Sequence, residues 1–176
     1  PEPAGAAPEA RGLRVLVMDD EEPVRKVAAR MLERLGCTVF QAADGAEAVS
    51  CFQRQQQAGQ PLQAVILDLT VPGGMGGLEA LRRLQALDPR VRAVVSSGYS
   101  NDPVLASPQD CGFRGVLSKP YTLEEIQRVL GELVRLAGDS DKGRFVEHIR
   151  LAGLGLEHAD WSLPERGYGY PQAAVT

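Results

Sequence analysis

No apolar run in this chain approaches the roughly 20 residues that span a bilayer, and no signal peptide is visible. Direct membrane contact is therefore not expected. Cysteine is sparse. Cys37, Cys51 and Cys111 are odd in number and far apart, which argues against a disulfide framework or a zinc site. They fit a reducing cytosol and read as plain packing or surface thiols. Basic residues are not in excess: 19 Lys and Arg stand against 23 Asp and Glu, for a net charge of −4. No basic stripe offsets that balance, which argues against a nucleic-acid partner. Internal repeats are also lacking.

Hydrophobic content of 44% and charged content of 24% are those of a soluble globular protein. The 176 residues suffice for one well-buried domain plus extra segments. A start at Pro1 rather than Met reads as a piece cut from a longer protein.

Residues 1–12, rich in Pro, Ala and Glu, read as a linker. Regular strand–helix alternation follows. Strands are expected at Leu13–Met18, Thr38–Ala42, Ala64–Leu67, Val91–Ser96 and Gly115–Ser118. Helices are expected to open at Glu22-Pro23, after a capping Asp44, after the glycine-rich stretch Val71–Gly77, and to run from Thr122 to about Ala137. Thr122 and Glu125 stand at capping-box spacing. Between Asn101 and Gly112, Pro103 opens a helix that Pro108 limits to little more than one turn. Five β–α units with short loops imply an α/β fold with a doubly wound parallel sheet. The pattern dissolves beyond Gly138, so residues 138–176 read as a tail, partly helical or disordered. Docking and dimerisation are roles open to it. His148 and His158 in that tail have no ligand set around them and read as surface histidines.

Four of the apolar runs end in polar residues suited to phosphoryl chemistry. The first meets Asp19 and Asp20, the third Asp68, the fourth Ser96 and Ser97, and the fifth runs through Ser118 into Lys119. The carboxyl ends of parallel strands line one edge, where ligands bind. An acidic residue at a strand end commonly just caps the next helix. Three crowded carboxylates repel, however, and call for a cation. Mg²⁺ suits such a set because it accepts a few carboxylates and keeps several waters. Asp20 would ligate it directly, Asp19 mainly through water, and Asp68 would share it. Asp68 is also the natural nucleophile toward a phosphoryl group, with Lys119 the ammonium that stabilises it. Pro120 favours a fixed local geometry after Lys119, with a cis bond among the options. Alternation sends Ser96 and Ser97 to opposite faces, so one of the two can reach the site.

Met18-Asp19-Asp20-Glu21, Asp68-Leu69-Thr70-Val71-Pro72, Ser97-Gly98 and Ser118-Lys119-Pro120, in this order and spacing, resemble the receiver domain of two-component signalling proteins. The resemblance covers about Leu13 to Ala137 and sets the domain at residues 13–137. Asp68–Gly77 and Ser96–Ser100 look most like receivers fused to bacterial sensor histidine kinases. The resemblance implies a flavodoxin-like sheet of order 2-1-3-4-5. It implies that Asp68 accepts phosphate from a phosphohistidine on a histidine kinase or histidine phosphotransfer domain. It further implies that Asp19, Asp20, Asp68 and the Thr70 carbonyl hold Mg²⁺, that Lys119 pairs with the phosphoryl group, and that Ser97 is the switch hydroxyl. Such a domain assists its own phosphorylation and dephosphorylation and works in the cytoplasm, there tethered where it is part of a membrane sensor kinase. Thr70 and Tyr99 fall where water access to the phosphate is gated. One departure stands out: Val116 occupies the position three before the lysine where the family usually carries Tyr or Phe. Two rival readings are a Mg²⁺-dependent phosphatase with an aspartate nucleophile and a receiver-like interaction module that is not phosphorylated. The phosphatase would place an Asp-x-Asp pair on the first strand, where this chain has adjacent Asp19-Asp20. The non-phosphorylated module would be expected to lack Asp68 or Lys119, and both are present.

Overall fold

The computed structural model describes residues 12–98 and 103–136. The expected linker, apart from Gly12, and the tail lie outside the described residues, as does Tyr99. Five strands alternate with helices in chain order. They are β1 (Arg14–Met18), α1 (Glu22–Arg34), β2 (Thr38–Ala42), α2 (Gly45–Gln57), β3 (Ala64–Asp68), α3 (Gly77–Leu87), β4 (Ala93–Ser97), α4 (Pro103–Ala106), a 3₁₀ turn (Pro108–Cys111), β5 (Gly115–Ser118) and α5 (Leu123–Leu136). The strands form one sheet of order β2-β1-β3-β4-β5, with all neighbours parallel.

Local chemistry explains most boundaries. Pro23 sits in the first turn of α1, and Gly36, at φ 87°, follows its end. Asp44 caps α2 by accepting from Glu47 N–H at 2.8 Å, and the Glu47 carboxylate accepts from Ala43 N–H at 2.7 Å. Thr122 Oγ accepts from Glu125 N–H at 3.2 Å at the head of α5. Helix α4 has four residues before Pro108 starts the 3₁₀ turn, as its prolines require.

Four strand ends differ from the apolar runs, β1 starting at Arg14 rather than Leu13 and β4 ending at Ser97 rather than Ser96 among them. Strand β4 starts at Ala93 rather than Val91, because Val91 N–H closes a turn onto Asp88 O at 3.0 Å. Strand β3 runs one residue further than its apolar stretch and includes Asp68, which pairs with Ser96 across the sheet.

The sheet divides the core in two. Val15, Val17, Ile66, Val94 and Leu117 pack with α1 and α5, against Leu32, Ile126 and Leu130. Leu16, Met18, Val65, Leu67 and Val95 face the other way, toward Phe52, Leu81 and Leu84 of α2 and α3. This parity decides where each strand-end side chain goes. No helix among the described residues is long and apolar enough to cross a membrane. Cys37 and Cys51 are buried thiols and Cys111 is half-buried, none of them in a disulfide.

Ile66 is 1% exposed at the centre of this packing. Ile66→Ala should lower stability by about 2–5 kcal/mol in urea denaturation, the range for a fully buried aliphatic truncation.

Candidate functional site

The carboxyl edge of the sheet brings three strand ends together. Asp19 and Asp20 follow β1, Asp68 ends β3, and Lys119 follows β5. Lys119 Nζ lies 2.8 Å from Asp19 Oδ2 and 2.8 Å from Asp68 Oδ2. Asp19 is 0% and Asp68 6% exposed, whereas Asp20 is open to solvent. One carboxylate oxygen from each of the three aspartates lies within 4.8 Å of the other two. Asp19 is held on three sides. Its N–H donates to Ala42 O at 3.1 Å, its Oδ1 accepts from Glu21 N–H at 2.9 Å, and its carbonyl accepts from Arg25 Nη1.

Burial pushes the Asp68 carboxyl above the usual carboxylate range, and the neighbouring Asp19 charge adds to the rise. Lys119 and the Thr70 backbone N–H oppose it by favouring the ionised form. For Lys119, burial disfavours the ammonium, but Asp19 and Asp68 together outweigh burial and hold its pKa above that of an ordinary lysine. One ammonium faces three carboxyl groups, so the cluster carries surplus negative charge.

The Lys119 contact to Asp19 Oδ2 is an ion pair without hydrogen-bond alignment. That fully buried oxygen therefore has no hydrogen-bond partner among the described residues. An all-oxygen set with one unsatisfied buried carboxylate oxygen and one exposed carboxylate fits a small hard divalent cation that keeps part of its water. The residues present thus fit Mg²⁺, with Asp19, Asp20 and Asp68 as the side chains able to hold it.

The two serines of β4 separate as alternation requires. Ser96 turns to the α1–α5 face, where its hydroxyl and the Tyr121 hydroxyl lie 2.6 Å apart, both buried. Ser97, also buried, lies beside the β5 end, its carbonyl accepting from Lys119 N–H at 3.0 Å. Burial pushes the Tyr121 phenol up to about 12. Tyr121 carries a site-adjacent role that reading the chain did not find, because its partner is 25 residues away. The Lys119–Pro120 bond is cis. Val116 is half-buried against the α2–α3 core.

The glycine-rich stretch has a packing purpose. A Cβ on Gly77 would lie 2.5 Å from the Asp68 carbonyl oxygen, and one on Gly76 would lie 2.4 Å from the Leu69 carbonyl oxygen. Both values are below any real Cβ contact, so these positions let the head of α3 rest directly on the Asp68 backbone. The same loop reaches α2: Gly45 N–H donates to Met75 O at 2.8 Å.

Two expected outcomes follow. Gly77→Ala should destabilise the fold and shift the backbone amide resonances of Asp68 and Leu69, read by NMR. Lys119→Met should lower stability at neutral pH by on the order of 3–5 kcal/mol in the presence of a chelator, because two buried carboxylates lose their counter-charge. Without the lysine the Asp68 pKa rises further. A carboxyl raised in the folded state gives its stability below the unfolded pKa and loses it as pH rises through the folded pKa. The deficit should therefore shrink as the pH is lowered toward the ordinary carboxylate range, measured by urea denaturation at a series of pH values.

Comparison with known proteins agrees with this geometry. The family described as the response regulator receiver domain matches residues 15–130. The chain is 25% identical over 114 residues to sporulation initiation phosphotransferase F of Bacillus subtilis, covering 65% of this chain and 87% of that protein. It is 32% identical over 121 residues to sensor kinase CckA of Brucella abortus, covering 68% of this chain but 12% of the kinase. Among solved structures, the receiver domain of a Pseudomonas aeruginosa sensor histidine kinase, with a magnesium ion coordinated in its active-site cleft, superposes with a TM-score of 0.61 at 26% identity. That match covers 70% of this chain and 98% of the other. With the family match spanning most of the folded elements, the chain belongs to the response regulator receiver family.

Proposed function

We propose that the chain is a phosphoacceptor domain of a two-component phosphorelay, with Asp68 taking a phosphoryl group from a phosphohistidine on a histidine kinase or histidine phosphotransfer domain. The carrying observation is the Lys119 ammonium placed 2.8 Å from both Asp19 and Asp68 at the carboxyl edge of the sheet. In the transfer, an Asp68 oxygen attacks phosphorus. The new P–O bond forms as the P–N bond to histidine breaks, and the freed imidazole nitrogen keeps the electron pair. Lys119 stabilises charge on the phosphoryl oxygens. Asp19, Asp20, Asp68 and the Thr70 carbonyl are the groups assigned to Mg²⁺, which supplies charge neutralisation and in-line positioning when bound. Asp19 is assigned a role mainly through water.

Ser97 is assigned the switch hydroxyl. It closes on the phosphorylated Asp68 and shifts the population toward a signalling conformation. Its neighbour Ser96 is engaged by Tyr121, which supports this choice. Val116 replaces the usual aromatic residue and α4 is a single turn. The output therefore does not run through an aromatic rotamer; phosphate passes onward or the loops near Ser97 and Met75 carry the change. The sensor-kinase relative supports a place within a hybrid histidine kinase, with residues 13–137 as the receiver unit, in the cytoplasm or tethered through the full-length sensor. Nucleic acid and membrane lipid are not assigned as partners, and dimerisation is not assigned either.

Incubation with Mg²⁺ and acetyl phosphate should give an acid-stable, base-labile phosphoryl adduct by mass spectrometry. Asp68→Ala and chelation by EDTA should each abolish it, and Lys119→Ala should slow its formation about a hundredfold. An adduct that survives Asp68→Ala unchanged overturns the assignment. Tyr99→Ala should speed loss of the phosphoryl group several-fold, measured as adduct decay after removal of the donor; an unaltered decay removes Tyr99 from that role.

A further inference from the structure

At the opposite end of the sheet, where β4 and β5 begin, lies an open groove of about 510 Å³. Leu62, Val91 and Leu133 form a buried apolar floor, and the exposed rings of Pro61 and Pro89 form its walls. Arg90, Arg92 and Arg114 also line it. Asp88 is the one acidic residue of the described lining, and Arg90 already engages it, Nε to Oδ1 at 3.3 Å. Arg92 and Arg114 are left with no ion pair or side-chain hydrogen bond among the described residues.

Both stand at the adjacent starts of β4 and β5. Arg92 immediately precedes β4 and Arg114 immediately precedes β5, and Arg114 N–H donates to Ala93 O at 2.7 Å. Burial and the Arg114 charge both press the Arg92 pKa below that of an ordinary arginine. Two like charges, one half-buried, face a groove whose one described carboxylate, Asp88, is engaged by Arg90, in a chain whose net charge is −4. Guanidinium groups pair with carboxylates through two parallel hydrogen bonds, and a partly buried pair is less screened than a surface one.

We propose that this groove docks an acidic peptide segment of a partner protein, with carboxylates on Arg92 and Arg114 and an apolar side chain on the Leu62–Val91–Leu133 floor. A lone oxyanion would satisfy the arginines but leave the proline walls and apolar floor in water. A second cavity of about 190 Å³ shares Pro89, Val91 and Arg114 with the groove and is also lined by Gln85 and Gln109. The proposal does not depend on phosphoryl chemistry, since none of the groove residues belongs to the Asp68 cluster.

The test is a fluorescence anisotropy titration of the 176-residue chain with a labelled short peptide alternating Glu and Leu, beside the same peptide with Gln for Glu. Saturable binding is expected, with the Gln peptide and the Arg92→Gln/Arg114→Gln variant each about tenfold weaker. The Arg92→Lys/Arg114→Lys variant keeps the charge and is expected to retain the parent circular dichroism spectrum. It should bind about threefold more weakly, having lost the planar fork. Equal binding by the Gln peptide or by both arginine variants overturns the proposal, as does the lack of saturable binding. Displacement of the peptide by inorganic phosphate at the peptide's own concentration also overturns it, since that marks a small-oxyanion site.

Discussion

The contact of one lysine with two buried aspartates is the constraint around which this domain is arranged. A carboxylate at 0% exposure and another at 6% cannot both remain ionised without a counter-charge. Lys119 provides it at 2.8 Å to each. The lysine in turn keeps its own charge in a half-buried position because two carboxylates flank it. Remove either side and the other becomes a liability of several kcal/mol. The cluster retains surplus negative charge even so, which a closed salt bridge would not.

The scaffold reaches this arrangement through parity. Each strand sends alternate residues to one of two cores, so the α1–α5 face receives Val15, Val17, Ile66 and Val94, and the other face receives Leu16, Val65 and Val95. Continued past the apolar stretch, the same alternation commits Ser96 to Tyr121. The glycines before α3 add a steric condition. Side chains at 76 or 77 would collide with the backbone oxygens of Leu69 and Asp68, so the phosphoacceptor candidate is fixed from beneath by α3 as well as by its own strand.

Much of this was legible in the chain. Asp19, Asp20, Asp68 and Lys119 stood out because each interrupts an apolar run with charge, and the sheet does gather them. The strand order followed from resemblance, and the short α4 from two prolines. What escaped was set by tertiary partners. Tyr121 reads as an aromatic after a proline until Ser96 is placed opposite it. The start of β4 depends on a turn that captures Val91, an apolar residue indistinguishable in type from its neighbours. Arg92 and Arg114 are ordinary surface cations in the chain and come to line one groove because the starts of β4 and β5 are adjacent in the sheet.

The order of strands also bears on how the chain is made. Strands β2, β1 and β3 are contiguous in the sheet, and all three precede β4 and β5 in the chain. Synthesis runs from the amino end, so the half-sheet that carries all three aspartates emerges while Lys119 is still 51 residues away from Asp68. A nascent chain that paired those strands early would draw like charges together with no lysine to separate them. Electrostatics therefore opposes closing the acidic edge until β5 is out, and couples completion of the first half of the domain to arrival of the second.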